Sequence, residues 1–288
     1  MLPLLLGLWL PLPQEPPPAA PPAPPSDLAA LAARVDAAHR PHGPVAPVTA
    51  LRANLELHVV DREQERRGMV ALDVMFLQRP TTGRQPPAPL IRYDVLEAGA
   101  EAVRGRDRNG PWQLFQGKAT DLRKAEFVDD LAACQRHTNL ARQLLRFLDP
   151  GAVLRALENP GPVQDESLPR ARQVVVACHT VAGDLPAFPL LQQGGDDAPV
   201  HLKVWVDAAT GRLLTADVCP RVDGKPDEAR LERIHLVDLH EQDDLLVPRS
   251  IEHLFRTADG TLRPQSRAVL TSLSLRPELR VEDFDRPQ

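Results

Sequence analysis

The chain has 288 residues and a formal net charge of −5, from 34 Lys and Arg against 39 Asp and Glu. That balance provides no basic footprint for nucleic acid, and 43% apolar residues is the content of a globular chain rather than a membrane-spanning one. Three cysteines, Cys134, Cys178 and Cys219, form an odd set at spacings that fit no zinc site; they read as free buried thiols packing as small hydrophobes, with a Cys178–Cys219 bridge as the alternative.

Residues 1–12 hold an apolar run, Leu2 to Leu12, too short to span a bilayer and suited to the apolar region of a secretory signal. The expectation is export, to a periplasm or an equivalent compartment. Residues 13–25 are dominated by proline and read as an extended tether. A folded domain over 26–288 follows. Ser26 is placed to cap a helix running to about His39, with Leu28, Leu31, Ala32 and Val35 on one face.

Strands come next. Leu51, Ala53, Leu55, Leu57 and Val59 alternate with polar residues, which marks a half-buried strand. Beyond a charged turn, Val70, Leu72, Val74 and Phe76 form the apolar face of a second. Arg79 to Pro89 reads as a loop. Ile91, Tyr93 and Val95 share a face of a third strand, and Asn109-Gly110 is a hairpin signal between two more. One long helical stretch follows, with Phe127, Leu131, Cys134, Thr138, Ala141, Leu145 and Leu148 in a stripe widened by Leu140, Leu144 and Phe147. Asp149-Pro150 breaks it, and a short helix resumes over 151–158. Strands return over 173–181, then a loop from Phe188 to Pro199, then a hairpin from Leu202 to Cys219 turning at Asp207 to Gly211. Three further strands, over 230–241, 247–256 and 267–275, complete a total of nine to eleven. The fold expected is mostly β (α+β), with helices covering one sheet face.

The order of these parts resembles the LolA/LolB-like family of bacterial periplasmic lipoprotein carriers. The marks are the segment Leu51 to Leu57; Arg79-Pro80 followed by Leu90-Ile91-Arg92-Tyr93-Asp94; the Asp207-x-x-Thr210-Gly211 hairpin; and the closing Phe284-x-x-Pro287. The resemblance implies a curved antiparallel sheet forming an incomplete barrel with a helical lid. Its apolar groove would be lined by Leu55, Leu57, Val70, Leu72, Val74, Phe76, Ile91, Tyr93 and Val95, under a lid carrying Phe127, Leu131, Leu145 and Leu148. Arg79 becomes the lid's tether, although the stretch Thr81 to Ala88 is longer than in the compact carriers. The implied role is non-enzymatic binding of a lipid or an acylated lipoprotein, by a monomer using no cofactor and exchanging cargo with a membrane-associated donor or acceptor. A regulatory sensor or structural interaction module on the same scaffold is the alternative.

The remaining candidates carry less. His235 and His240 are an odd number of residues apart, so a strand points them to opposite faces, and Asp238 and Glu241 do not complete a metal site with them. Asp196-Asp197 and Asp243-Asp244 read as loop charges. Ser250, Ser266, Ser272 and Ser274 lack a glycine elbow. Trp112 and Trp205 read as core or rim anchors.

Overall fold

The computed structural model describes residues 27–61, 66–78, 89–97, 100–115, 117–170, 174–191 and 197–286. The leader, the proline tract, Arg79 and the stretch from Thr81 to Ala88 lie outside the described residues.

Helix α1 (Leu28–His39) opens the described chain. Asp27 caps it, its carboxylate accepting from Ala30 N at 2.8 Å, so the cap falls at Asp27 rather than Ser26. Six strands follow in a meander: β1 (Ala50–Asp61), β2 (Arg66–Leu77), β3 (Leu90–Glu97), β4 (Ala100–Asp107), β5 (Gly110–Phe115) and β6 (Lys118–Asp121). Helices α2 (Val128–Leu148) and α3 (Pro150–Arg155) come next. Asp149 ends α2 and caps α3 through Ala152 N, with Pro150 supplying the preset φ of a first helical turn. The second strand series is β7 (Gln164–Pro169), β8 (Val175–Phe188), β9 (Ala198–Asp207), β10 (Leu213–Val222), β11 (Lys225–Pro226), β12 (Glu232–Gln242), β13 (Leu245–Arg256) and β14 (Leu262–Leu275).

All fourteen strands pair antiparallel in one open sheet, ordered β6-β5-β4-β3-β2-β1-β14-β13-β12-β10-β9-β8-β7, with β11 attached to β10. The last long strand closes back onto the first. The margins are β6 and β7, and the helices are the chain that joins one margin to the other. Register shifts at Asn54/Leu55, His253/Leu254, Leu213/Thr215 and Leu185/Phe188 mark bulges, which bend strands and increase their twist. The architecture is the incomplete barrel expected from the sequence, with more strands than counted there. The extra ones, β6, β7 and β11, are short edge pieces whose polar sequences carry no alternation.

Pairing sets the inner face. Leu51, Ala53, Leu55 and Leu57 of β1 stand opposite Phe76, Val74, Leu72 and Val70 of β2. Those β2 residues from Leu72 to Phe76 stand opposite Val95, Tyr93 and Ile91 of β3. The nine strand residues named as a groove are therefore contiguous on one face. Helix α2 packs over that face together with α1, and one core joins Leu31 and Val35 of α1, Phe147 and Leu148 of α2 and Val204 and Val206 of β9.

The turn at Asp207 is where α1 docks. The Asp207 carboxylate accepts from Ala209 N at 2.7 Å and Thr210 N at 3.0 Å. Gly211 has φ +73°, and a Cβ there would come within 3.0 Å of the Arg34 side chain. Arg34 donates to the carbonyl of Ala208, and His39 Nε2 accepts from Leu213 N at 2.9 Å. Burial pushes the His39 imidazole down to about 4, so it is neutral and able to accept. All three cysteines are free and buried, without a Cys178–Cys219 bridge.

Candidate functional site

Between α2 and the sheet lies an apolar void. Its floor is Leu51, Ala53 and Leu55 of β1, Leu72 and Val74 of β2, Ile251 of β13 and Ala268 and Leu270 of β14; its roof is His137, Leu140, Ala141 and Leu144 of α2. The cavity is small, about 20 Å³, room for about one water-sized sphere. The helix has settled onto the sheet and nearly filled the seam.

Of the named groove residues, Leu55, Leu72 and Val74 line the void. Phe76, Ile91 and Tyr93 are buried in the core beside it, and Leu57, Val70 and Val95 are half-buried against the same core. Of the named lid residues, Leu148 is buried and Phe127, Leu131 and Leu145 pack half-buried on the core. The part of α2 that meets the void is Ala141 of the expected apolar stripe with Leu140 and Leu144 of its widening, and not the four residues named as the lid. Sequence reasoning did not find Ile251, Ala268, Leu270 or His137; only the pairing of β14 with β1, and of β13 with β14, brings the first three there.

What pins α2 is a buried polar network that no short motif announces. Gln143 Nε2 donates to Pro189 O at 2.7 Å and to Glu232 Oε1 at 2.9 Å. Its Oε1 accepts from His253 Nε2 at 2.8 Å, which sets the ring's N–H on Nε2 and leaves Nδ1 to face the Ser266 hydroxyl at 3.4 Å. Glu232 Oε2 accepts from Leu191 N at 3.1 Å, and Asn139 Nδ2 donates to Leu190 O at 2.8 Å. Four parts of the chain thus converge: α2, the 189–191 segment, β12 and β13. Burial raises the Glu232 carboxyl to about 7 and lowers the His253 imidazole to about 3. The candidate tether Arg79 lies outside the described residues; among those described, Asn139 and Gln143 hold the helix through this network, joined by ion pairs from Asp130 to Arg104 and from Arg142 to Asp197.

The histidines and acids of β12 do not assemble. His235 is hydrogen-bonded to the Thr215 hydroxyl at 2.8 Å and is held down to about 4 by burial, so it is a partly buried partner of β10 rather than a solvated group. Glu241 meets His42 at 2.7 Å, with Asp244 close by, all three exposed. Trp205 is buried under Lys203 and Arg233, 4.9 and 5.1 Å from its ring, in a small cluster with Leu168 and Cys178. Trp112 is core. Among the described residues, no helix is long and apolar enough to cross a membrane.

No family model matches the chain, and no curated protein matches it. Solved structures do. A DUF1329 family protein from Desulfovibrio piger matches with a TM-score of 0.50 at 9% identity, over 90% of this chain and 95% of that one. A LolA superfamily protein from Nitrosomonas europaea matches with a TM-score of 0.49 at 11% identity, over 90% of this chain and 98% of that one. A domain from Vibrio parahaemolyticus, provisionally described as an outer membrane lipoprotein-sorting protein domain, gives 0.46 at 10%, over 90% and 96%. At these identities the likeness is one of fold.

Proposed function

We propose that this chain is a non-enzymatic carrier that takes an acyl chain, of a lipid or an acylated protein, between α2 and the inner face of the sheet. The observation that carries the reading is the apolar seam, lined on both sides by aliphatic side chains and roofed by an element that crosses the sheet without being part of it. Export, to a periplasm or its equivalent, follows from the leader-like residues 1–12 and suits a carrier that meets membrane-associated donors and acceptors. The protein acts as a monomer, and occupancy needs no cofactor.

The energetics favour a helix that lifts. Each methylene moved from water into the seam contributes roughly 0.8 kcal/mol, so a chain of about twelve brings roughly 10 kcal/mol. Releasing α2 costs its hydrogen bonds to Pro189, Leu190, Glu232 and His253, each about 1 kcal/mol net, its ion pairs from Asp130 to Arg104 and from Arg142 to Asp197, and the apolar contact that the chain itself replaces.

The test is binding of a fluorescent fatty acid to delipidated protein. Binding is expected, is lost in Leu72→Asp and Val74→Asp, and survives in Val175→Asp, where the position is exposed. Because an aspartate in the core can unfold the sheet, Ala141→Leu provides a second arm: it fills the void without adding charge and is expected to weaken binding several-fold. Absence of binding by the wild type, with a protein partner recovered instead, replaces the carrier by an interaction module.

A further inference from the structure

A connection between strands ordinarily runs over the surface, because its unpaired backbone groups need water. Phe188, which ends β8, and Pro189, Leu190 and Leu191 beyond it are all buried. Side chains, not a strand ladder, satisfy this backbone. Gln143 donates to Pro189 O at 2.7 Å, Asn139 donates to Leu190 O at 2.8 Å, and Glu232 accepts from Leu191 N at 3.1 Å. The Phe188 ring lies 6.0 Å from that of Phe147. Asn139, Gln143 and Phe147 follow one another at steps of four along α2, so they form a single ridge of the helix. The segment runs down that ridge against the direction of the helix. Asp197, just before β9, pairs with Arg142 at 2.6 Å and ties the connection's other end to the same helix.

Leu191 closes one end of the seam. It packs with Leu140, Phe255 and Ala268, and with half-buried Leu57, in an apolar cluster separate from the main core. Leu140 and Ala268 also line the void, and Leu191 does not. It therefore stands behind them, on the β13–β14 side of the floor. Tyr93 of β3, with the His137 ring against it, lies toward the opposite side. The side-chain bonds that hold Pro189 to Leu191 can break without undoing a turn of helix or a rung of the sheet.

We propose that Phe188 to Leu191 form a clasp over the mouth of the seam. The clasp undocks from the Asn139–Gln143–Phe147 ridge, lets an acyl chain pass between Leu140 and Ala268, and reseats with Leu191 as the stopper. This rests on the acyl-carrier reading above and adds the route by which that site is filled and emptied.

Stopped-flow fluorescence on the delipidated full chain, with a dansylated undecanoic acid as the probe, separates a gate from a wall of the site. A stopper is seated before and after passage and absent only during it. Leu191→Ala is therefore expected to speed association and dissociation together, each about tenfold, and to keep the affinity within about twofold. Asn139→Ala loosens the clasp without touching the apolar mouth and is expected to act the same way, about fivefold, the scale of one net hydrogen bond. It decides the matter if the leucine variant does not fold. Association unchanged in the clasp variants, whatever happens to affinity, reduces Leu191 to ordinary packing and overturns the clasp while leaving the carrier standing. Acceleration by His137→Ala, with neither clasp variant altering association, places the mouth at the other end and also overturns it. No binding of the probe by the wild type overturns the carrier reading itself.

Discussion

Glu232 is a carboxyl enclosed with neutral partners, Gln143 and the Leu191 N–H, and with a neutral imidazole 3.8 Å away on His253. Its folded value is about 7 against an ordinary 4.5. Between those values the unfolded chain has lost the proton and the folded chain keeps it, so stability falls as pH rises through this window and levels off above it. His253, at about 3, and His39, at about 4, work in the opposite sense: the unfolded chain binds their protons first, and stability is lost as pH falls from 6.5 through the folded values. Comparing Glu232→Gln with the wild type isolates the carboxyl. The difference in unfolding free energy is expected to move in the variant's favour by about 3 kcal/mol between pH 4 and pH 8, read from denaturant midpoints. A difference constant across that range would mean that the carboxyl ionises freely in the folded chain.

Helix α2 is the element on which binding turns, and its own anchors make its release measurable. Removing the Gln143 amide strands the His253 N–H, the Glu232 carboxyl and the Pro189 carbonyl together. Gln143→Ala is expected to cost about 3 kcal/mol and to speed modification of Cys134, which lies buried on the underside of α2, ahead of Cys178 and Cys219 in the sheet. Equal rates at all three thiols would show that α2 opens only with global unfolding. The sequence made α2 legible as a helix over a sheet, because its apolar spacing is regular and Asp149-Pro150 ends it. It did not reveal the anchor. Asn139, Gln143 and His137 are polar residues in a helix, and their burial depends on partners from segments about 45 to 110 residues away. Alternation disclosed the faces of β1, β2 and β3 for the opposite reason, since a strand half-buried over one core shows its period locally. Strand β7 showed nothing, because of its six residues only Leu168 is buried.

At the scale of the whole molecule, the pairing of β1 with β14 is the seam between two halves of the sheet. Deleting residues 262–288 removes β14 and leaves β1 and β13 with unpaired edges, so neither half is expected to remain folded; a soluble fragment retaining a cooperative thermal transition would contradict that. The covering segment also leaves one margin of the sheet at β6 and returns at the other at β7. It is strung across the open side like a cord across a bow, fastened at both tips. For it to arch outward, residues 122–127 and 156–163 must draw straight, at most about 3.5 Å each, and that means freeing buried Leu122 and Leu157 and the backbone bonds of Glu158 and Gly161 to β8. The girth of what passes beneath it is therefore limited by the length of two short leashes, and lengthening either one should admit bulkier guests.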